Sequence, residues 1–191
     1  MLIGVTGNIG AGKSLFCSFL RELTAAPVVN ADELGKRLLK KGEAAYEPVV
    51  RTFGEGILNE DGEIVPAKLA KLVFSDPKEL QKLTSITHPL IAEKIEQLGR
   101  SHPLVFVEAA VLIEANWHGL FDAVVLVFAY KGQRLLRAAR RFGLKEAVRR
   151  DALQLPYGEK LKYADYLVCN VKTPLHLKEQ AYALIQELEA V

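Results

Sequence analysis

Cysteine is scarce in this sequence, with only Cys17 and Cys169 among 191 residues. The two lie far apart along the chain, and neither belongs to a spacing typical of metal ligands or of a disulfide framework. The sequence therefore argues against a small disulfide-stapled scaffold and against a cysteine-based metal site. We expect both thiols to be free, in a reducing compartment.

Long hydrophobic runs are also missing. No uninterrupted apolar segment approaches the roughly 18 residues that a membrane-spanning helix needs. The first residues lack the basic lead, apolar stretch and cleavage site of a secretory signal. We therefore expect a soluble, cytoplasmic protein with no membrane partner.

An excess of charge of one sign is the third absence. The 25 Lys and Arg nearly balance the 23 Asp and Glu, for a formal net charge of +2. This charge is too small to indicate nucleic-acid binding, for which a concentrated basic face is typical. Because half of the residues are hydrophobic, the chain can bury the core of one ordinary domain.

Five short apolar runs predict the strands of a buried sheet. They are rich in β-branched or aromatic residues and show little alternation, which is typical of strands covered on both faces. Helical patterns follow the first run and occupy the end of the chain, so strands and helices alternate as in a doubly wound parallel α/β fold. The runs are LIGV, PVVN, LVFVEAA, AVVLVF and YLVC.

The interval from about Asp32 to Arg100 departs from this alternation. Helical patterns dominate it, and the turn-rich stretch NEDGEIVP is its only strong interruption. We interpret the interval as a helical lobe.

The first apolar run leads into a phosphate loop. Gly7, Gly12, Lys13 and Ser14 fit the pattern G-x-x-x-x-G-K-[ST]. Glycines allow close approach to phosphate oxygens, a helix N-terminus attracts anions, and the lysine neutralises the β and γ phosphates, while the Ser14 hydroxyl binds Mg²⁺. A chance glycine turn is the alternative, but a strand before and a helix after are the context that confirms the motif.

Asp32 follows the second apolar run, which ends at Asn30. Ligands of open α/β sheets bind outside the carboxyl ends of the strands, so this carboxylate could accept a proton from a substrate hydroxyl. Aspartate is also common as the N-cap of a helix, here of ELGKRLLKK. Position alone leaves base and cap as equal alternatives.

Glu108 ends the strand LVFVEAA. P-loop enzymes usually hold an acidic residue near Mg²⁺ at such a position, often through water. A simple cap or turn residue is the alternative.

Basic residues concentrate at positions 131–151, where eight of them stand against two acidic residues. Arg137 and Arg141 are four apart, so they share a helix face and could clamp a polyphosphate. A solvated helix face and an RNA-binding patch are the alternatives. Only one aromatic residue, Phe142, interleaves with the charges, so we favour a lid over the nucleotide.

The guanine-reading signatures N-K-x-D and T-K-x-D are absent, which argues against a GTPase. A helical lobe of about seventy residues is more than a bare nucleotide-binding module needs. A small-molecule kinase is the interpretation that these observations favour.

Several segments, taken in order along the chain, resemble the dephospho-CoA kinase family. GNIGAGKS is similar to its phosphate loop, and NAD at 30–32 resembles its D-A-D, whose second aspartate is regarded as the base. Further matches are FGEGILNEDGEI, THPLI, EAAVLIE, the paired arginines, RDALQ and EKLKYADYLVCN. Beyond the phosphate loop no segment is specific alone, but their order is informative, and the resemblance covers nearly the whole chain.

The resemblance implies transfer of the ATP γ-phosphate to the ribose 3′-hydroxyl of dephospho-CoA. The products are CoA and ADP, in the last step of CoA synthesis. ATP and Mg²⁺ are thus the implied cofactors, and ATP and dephospho-CoA the small-molecule partners, with no nucleic acid. The implied ATP-binding residues are Asn8, Ile9, Gly10, Ala11, Gly12, Lys13, Ser14 and Leu15.

The resemblance also implies catalytic roles. Lys13, Arg137 and Arg141 would stabilise charge on the migrating phosphoryl group. Asp32 would deprotonate the hydroxyl and, with His88, contact the acceptor. The implied metal-organising residues are Ser14 and Glu108.

The implied architecture is a single P-loop kinase domain over residues 1–191, and the chain is compatible with a monomer. Its core (1–30, 101–130 and 157–191) would hold a five-stranded parallel sheet, with strand order taken from the family. The helical acceptor-binding lobe would span 31–100, and the lid 131–156.

Three positions depart from the family pattern. Asn30 replaces the first aspartate of D-A-D, which removes a competitor for the base role of Asp32. Ala110 replaces a usual proline, and Pro66 stands where arginine is frequent, which removes a potential acceptor contact. Two alternatives stay open: a P-loop kinase for another nucleoside, nucleotide or small alcohol, and a noncatalytic nucleotide-dependent binding protein.

Overall fold

A computed structural model describes residues 1–190 of the chain, which divides into two compact units. One unit comprises Met1–Asn30 and Leu98–Val191, and the other comprises Ala31–Gln97. The second unit falls within the range predicted for the helical lobe.

Strands and helices alternate along the chain. The strands are β1 (Leu2–Thr6), β2 (Val28–Asn30), β3 (Val105–Glu108), β4 (Ala123–Phe128) and β5 (Tyr166–Cys169). The α-helices are α1 (Lys13–Leu23), α2 (Ala31–Leu38), α3 (Tyr46–Phe53), α4 (Pro66–Val73), α5 (Pro77–Ser101), α6 (Lys131–Phe142), α7 (Leu144–Ala152), α8 (Tyr157–Leu161) and α9 (Pro174–Glu189).

The five strands form one parallel sheet in the order β2-β3-β1-β4-β5. Each strand overlaps one of the five apolar runs, so the predicted α/β fold class and the strand count are confirmed. The central strands β1 and β3 are buried along their whole length because helices and loops cover both faces of the sheet. Their sequences are therefore mostly apolar and do not alternate between apolar and polar residues.

Helices α1 and α9 cover one face of the sheet. Phe16 and Leu20 of α1, at helical spacing, form a core with Leu177 of α9 and with Ile3 and Val5 of β1. These side chains are essentially inaccessible to water, so their burial is the main stabilising contribution on this face.

The opposite face of β1 is packed just as tightly. A Cβ added at Gly4 would lie 2.5 Å from the Leu112 side chain and 3.0 Å from Phe121. Only glycine allows the loop after β3 to approach the central strand this closely.

The strand register aligns the carboxyl ends of the central strands. Glu108, the last residue of β3, pairs with Val5 of β1 on one side and with Asn30 of β2 on the other. The phosphate loop leaves β1 one residue later, so its start and the Glu108 carboxylate lie at the same edge of the sheet.

The unit Ala31–Gln97 is helical. It contains α2, α3, α4 and the part of the long helix α5 up to Gln97. Its buried residues include Val49, Ile57, Leu69 and Ile91. An isolated antiparallel bridge between Leu58 and Ile64 encloses residues 59–63, the first part of the predicted turn NEDGEIVP. The Asn59 side chain accepts hydrogen bonds from two backbone amides of this turn, which is why an asparagine begins it.

Both cysteines are free, as predicted, and Cys17 is buried beneath the sheet. Burial raises the pKa of the Cys17 thiol to about 12, so it stays protonated and unreactive at neutral pH. Within residues 1–190, no helix has the length and apolarity to cross a bilayer.

Candidate functional site

The phosphate loop joins β1 to α1 and takes backbone conformations that glycine favours. Gly10 and Gly12 have φ of +74° and +97°. A Cβ at Gly10 would stand 2.0 Å from the Arg134 backbone oxygen, and one at Gly12 would stand 2.1 Å from Asn170 Nδ2. The glycines thus serve both the turn and the close approach of α6 and of the end of β5.

The loop is held from the β5 side by Asn170, the residue that follows β5. Its Nδ2 donates to the Ala11 carbonyl oxygen at 2.9 Å, and the contact is buried. This bond fixes the backbone just before α1 begins at Lys13, where the unpaired amides of a helix N-terminus attract phosphate.

The Lys13 ammonium folds back over its own loop. Nζ donates to the Gly7 carbonyl oxygen at 2.8 Å and lies 3.4 Å from that of Asn8. The side chain is therefore positioned over the loop, on the surface where a bound phosphate chain would lie.

Ser14 and Glu108 form the second part of the site. Ser14 Oγ donates to Glu108 Oε1 at 2.7 Å, and Glu108 is 6% exposed. A hydroxyl and a carboxylate are the hard oxygen ligands that Mg²⁺ binds. Residues 1–190 contain no cluster of three or more His, Cys, Asp or Glu able to hold a metal alone, so phosphate oxygens would have to supply further ligands.

Arg134 is a buried basic residue of α6, and no sequence pattern distinguishes it from the other basic residues at positions 131–151. Its guanidinium pairs with Asp151 Oδ1 at 2.6 Å and donates to the Ile9 carbonyl oxygen at 3.1 Å. The side chains of Arg134 and Asp151 are only 9% and 11% exposed. The pair therefore ties α6 and α7 to the phosphate loop.

Arg137 lies one turn further along α6 and reaches the same region. Its Nη2 donates to the Asn170 carbonyl oxygen at 3.1 Å, and Asn170 also holds the loop. Its Nη1 is buried and has no hydrogen-bond partner among residues 1–190. A buried charged donor without a partner is costly, so an anionic ligand within reach of this nitrogen would be favoured.

Arg141 differs from Arg137 although both lie on α6. It is exposed, and its guanidinium lies 5.0 Å from the centre of the Phe142 ring. Arg150 lies over the same ring at 4.2 Å and also donates to Glu146. Hydrogen bonds from Arg149 and Arg150 hold the pKa of Glu146 down at about 2.

The segment Gln154–Leu155 forms two hydrogen bonds with the phosphate loop, and the sequence patterns do not predict them. Ile9 N donates to Gln154 Oε1 at 2.7 Å, and Asn8 Nδ2 donates to the Leu155 carbonyl oxygen at 3.1 Å. In the sequence, Gln154 stands out only as the last residue of RDALQ. That segment gives no indication that the Gln154 side chain binds Ile9.

The segment Gln154–Leu155 is itself anchored by a buried ion pair. Glu114 Oε1 accepts from Leu155 N at 3.0 Å and pairs with Lys160 Nζ at 2.9 Å. The Lys160 side chain is 0% exposed and also donates to the Ala110 carbonyl oxygen at 3.0 Å. Glu114 and Lys160 belong to the quoted segments EAAVLIE and EKLKYADYLVCN, yet neither was assigned a role.

The two predicted acceptor residues lie in the unit Ala31–Gln97. Asp32 is exposed in the first turn of α2, which begins at Ala31, so the residue preceding the helix is Asn30. His88 is half-buried in α5, and burial lowers the pKa of its imidazole, so the ring is neutral at pH 7.

Comparisons with known proteins agree with one another. A family model described as dephospho-CoA kinase matches residues 1–174. A dephospho-CoA kinase of Aquifex aeolicus (strain VF5) is 39% identical over 191 residues, covering 97% of this chain and 96% of the relative.

Solved structures give the same result. TT1252 from Thermus thermophilus superposes with a TM-score of 0.82 at 35% identity, covering 98% of this chain and 97% of that one. The dephospho-CoA kinase from Campylobacter jejuni gives a TM-score of 0.73 at 26% identity, with coverage of 98% and 96%.

Proposed function

The chain belongs to the dephospho-CoA kinase family, and from that membership we propose how its residues divide the work of the reaction. It is a kinase that phosphorylates the ribose 3′-hydroxyl of dephospho-CoA, the final step of CoA biosynthesis. Family membership selects this activity over the two alternatives left open above.

The nucleotide is ATP, held by the loop residues from Asn8 to Leu15. The observation that carries the proposal is the geometry of this loop, which is clamped by Asn170 and Arg134 while the Lys13 ammonium folds over it. When ATP binds, the Lys13 ammonium exchanges its hydrogen bonds to loop carbonyl oxygens for bonds to phosphate oxygens. Phosphate oxygens are the stronger acceptors because they are charged. The loop is built before the nucleotide arrives, so little ordering cost remains for binding.

Mg²⁺ is held by Ser14, with Glu108 as its acidic neighbour. The 2.7 Å contact between their oxygens supports a shared site for one hard cation. When bound together with ATP, the ion neutralises charge on the β and γ phosphates.

Asp32 is the base that accepts the proton of the acceptor hydroxyl. Its carboxylate is exposed and follows the end of β2 by two residues in the chain. Ligands of open α/β sheets bind outside the carboxyl ends of the strands, which supports this role. His88 contacts the acceptor as a neutral hydrogen-bonding group, because burial disfavours its charged form.

Arg137 and Arg141 stabilise charge on the transferred phosphoryl group, and the segment 131–156 acts as a lid that excludes water from it. The buried, unpartnered Nη1 of Arg137 supports this role for that residue. The contacts of Arg134, Arg149 and Arg150 with carboxylates inside the same unit favour a lid over an RNA-binding patch. The proposed location is the cytoplasm, and the chain is compatible with a monomer.

One assay tests both the activity and the base. ADP release from ATP and Mg²⁺ is measured with dephospho-CoA, adenosine, AMP, shikimate or no acceptor, for the wild type and for Asp32→Asn. We expect release with dephospho-CoA alone, and a turnover that is lower by about 10²–10⁴ in the variant, with ATP affinity retained.

Glu47→Gln is the matched control, since Glu47 is also an exposed carboxylate in the first turn of a helix of the same unit. Its turnover should equal that of the wild type. Turnover by Asp32→Asn at the wild-type rate would remove Asp32 from the chemistry, and a preference for another acceptor would overturn the assigned substrate.

A further inference from the structure

A cavity of about 480 Å³ lies wholly within the unit Ala31–Gln97. Eight of its eleven lining residues are apolar, among them Leu69, Ala70 and Val73 of α4. The volume falls in the range of small-molecule pockets, which are mostly apolar with a few placed polar groups. No residue given a role in the proposed function lines it.

The cavity is open to solvent rather than a void in a core. Phe74, on its wall, is 69% exposed, and Leu83 is only partly buried. Apolar walls that remain accessible to water gain free energy when an apolar group covers them.

The rim of the cavity is charged and mainly basic. Lys36 and Lys40 are the two basic residues that line the cavity, and Glu63 is the single acidic one. Lys36 pairs with Glu33 at 2.7 Å, but both side chains are more than half exposed, so the pair contributes little and can exchange for a ligand anion. The lysines match an anionic group at the mouth of the cavity.

Helix α2 connects this cavity with the base proposed above. Asp32 and Lys36 are four residues apart, so they lie on the same helix face, about 6 Å apart along the axis. Leu39 and Lys40, which follow the end of α2 at Leu38, continue the cavity wall in the same direction. The order along this path is carboxylate, ammonium, then apolar cavity.

Dephospho-CoA carries its groups in the matching order. The ribose hydroxyl that is phosphorylated is followed, a few covalent bonds away, by an anionic pyrophosphate and then by the pantetheine arm, whose pantoyl group bears two methyl groups. We propose that the cavity between α2 and α4 binds the pantetheine arm of the acceptor, with Lys36 and Lys40 on its pyrophosphate. The proposal rests on the role of Asp32 given under the proposed function.

The test compares two acceptors in one assay. Dephospho-CoA is set against the methyl ester of ADP, which keeps the ribose and the pyrophosphate but lacks the pantetheine arm. We expect the wild type to show a KM for the truncated acceptor that is higher by at least about tenfold, because the apolar contacts are missing.

Ala70→Phe fills the cavity from α4 without removing a core side chain. It should raise the KM for dephospho-CoA by about tenfold and leave the kcat and the KM for the truncated acceptor unchanged. Ala67→Phe is the matched control, since Ala67 lies on the same helix but is exposed and does not line the cavity. Its constants for both acceptors should equal those of the wild type.

A second pair of variants guards against misfolding of Ala70→Phe. Phe74→Ala removes an exposed wall residue, and Leu72→Ala removes an exposed residue outside the cavity. Only Phe74→Ala should raise the KM for dephospho-CoA.

The outcomes distinguish a failure of the cavity assignment from a failure of the proposed function. An unchanged KM for dephospho-CoA in both Ala70→Phe and Phe74→Ala overturns the assignment of the cavity, as does a wild type that does not distinguish the two acceptors. An equal rise in the KM for both acceptors in these variants also overturns the assignment, because it indicates a general structural effect. A wild type that releases no ADP with dephospho-CoA contradicts the proposed function itself.

Discussion

At the scale of single residues, the two arginines of α6 occupy unlike environments. Arg137 contacts the residue that holds the phosphate loop and keeps one buried nitrogen without a partner, whereas Arg141 is exposed against Phe142. A guanidinium already fixed and desolvated stabilises transition-state charge more strongly than one that must first be ordered. The two were paired by spacing alone in the sequence, and the structure gives them unequal surroundings.

We therefore expect Arg137→Ala to lower kcat/KM for ATP by about 10²–10³ and Arg141→Ala to lower it only a few-fold. Steady-state kinetics with varied ATP and saturating dephospho-CoA measure both values. Thermal unfolding midpoints of the two variants serve as the control for folding. Equal losses would show that the buried nitrogen of Arg137 has no special role.

At the scale of structural elements, the buried ion pair Glu114–Lys160 connects the loop after β3 with α8. It also positions Leu155, whose carbonyl oxygen accepts from the phosphate-loop residue Asn8. Removing one partner of a buried pair leaves a charge with no counterion in a poorly solvated place.

Lys160→Met should therefore lower the free energy of unfolding by about 3–5 kcal/mol. Glu114→Gln keeps an acceptor for Leu155, so the double variant should lose less than the sum of the two single variants. Urea unfolding of all four proteins measures the coupling.

The exposed pair Glu159–Lys162 is the matched control for this cycle. Its charged atoms lie 2.7 Å apart, close to the 2.9 Å of the buried pair, but its side chains are more than half exposed. Lys162→Met should lower the free energy of unfolding far less than Lys160→Met does, because solvent screens the exposed pair. Strict additivity at Glu114 and Lys160 would show that the pair is not the anchor of the segment.

The sequence predicts the elements because their signals are local. Five apolar runs mark five strands, and the phosphate loop is recognisable because glycines, lysine and serine stand at fixed spacing between a strand and a helix. The helical character of residues 31–97 is equally local, and even the turn at Asn59 follows from residue types.

What the sequence does not predict depends on partners distant in the chain. The strand order required the family resemblance, because nothing in the sequence of β1 indicates β3 and β4 as its neighbours. The contacts of Gln154 with Ile9 and of Glu114 with Lys160 join positions 145 and 46 residues apart, and the residue types alone do not pair them. The cavity beside α4 likewise exists only once four separate segments are folded together.

At the scale of the whole molecule, the two units should respond to different ligands. A nonhydrolysable ATP analogue with Mg²⁺ should slow amide hydrogen exchange in Met1–Asn30 and Leu98–Val191, above all in the phosphate loop. Dephospho-CoA should slow exchange within Ala31–Gln97. At a hundredfold excess over its Kd, a ligand stabilises the structure it binds by about 2.7 kcal/mol, so protection is readily measured.

Lys13→Ala supplies the control, since it should abolish the effect of the nucleotide while leaving that of dephospho-CoA in place. Exchange followed by mass spectrometry of proteolytic fragments resolves the two regions. Protection by dephospho-CoA that is confined to the phosphate-loop unit would contradict the assignment of the acceptor to the helical one.

The central position of β1 matters most while the protein is being made. This strand leaves the ribosome well before its neighbours β3 and β4, which begin only at Val105 and Ala123. Translation at about 5–20 residues per second delays them by roughly 5 to 20 seconds. Throughout that interval the apolar stretch LIGVT has no sheet to join, while the contiguous segment 31–97 can already emerge complete. The strand that carries the phosphate loop is thus an unpaired apolar segment of the nascent chain until β3 and β4 have been made.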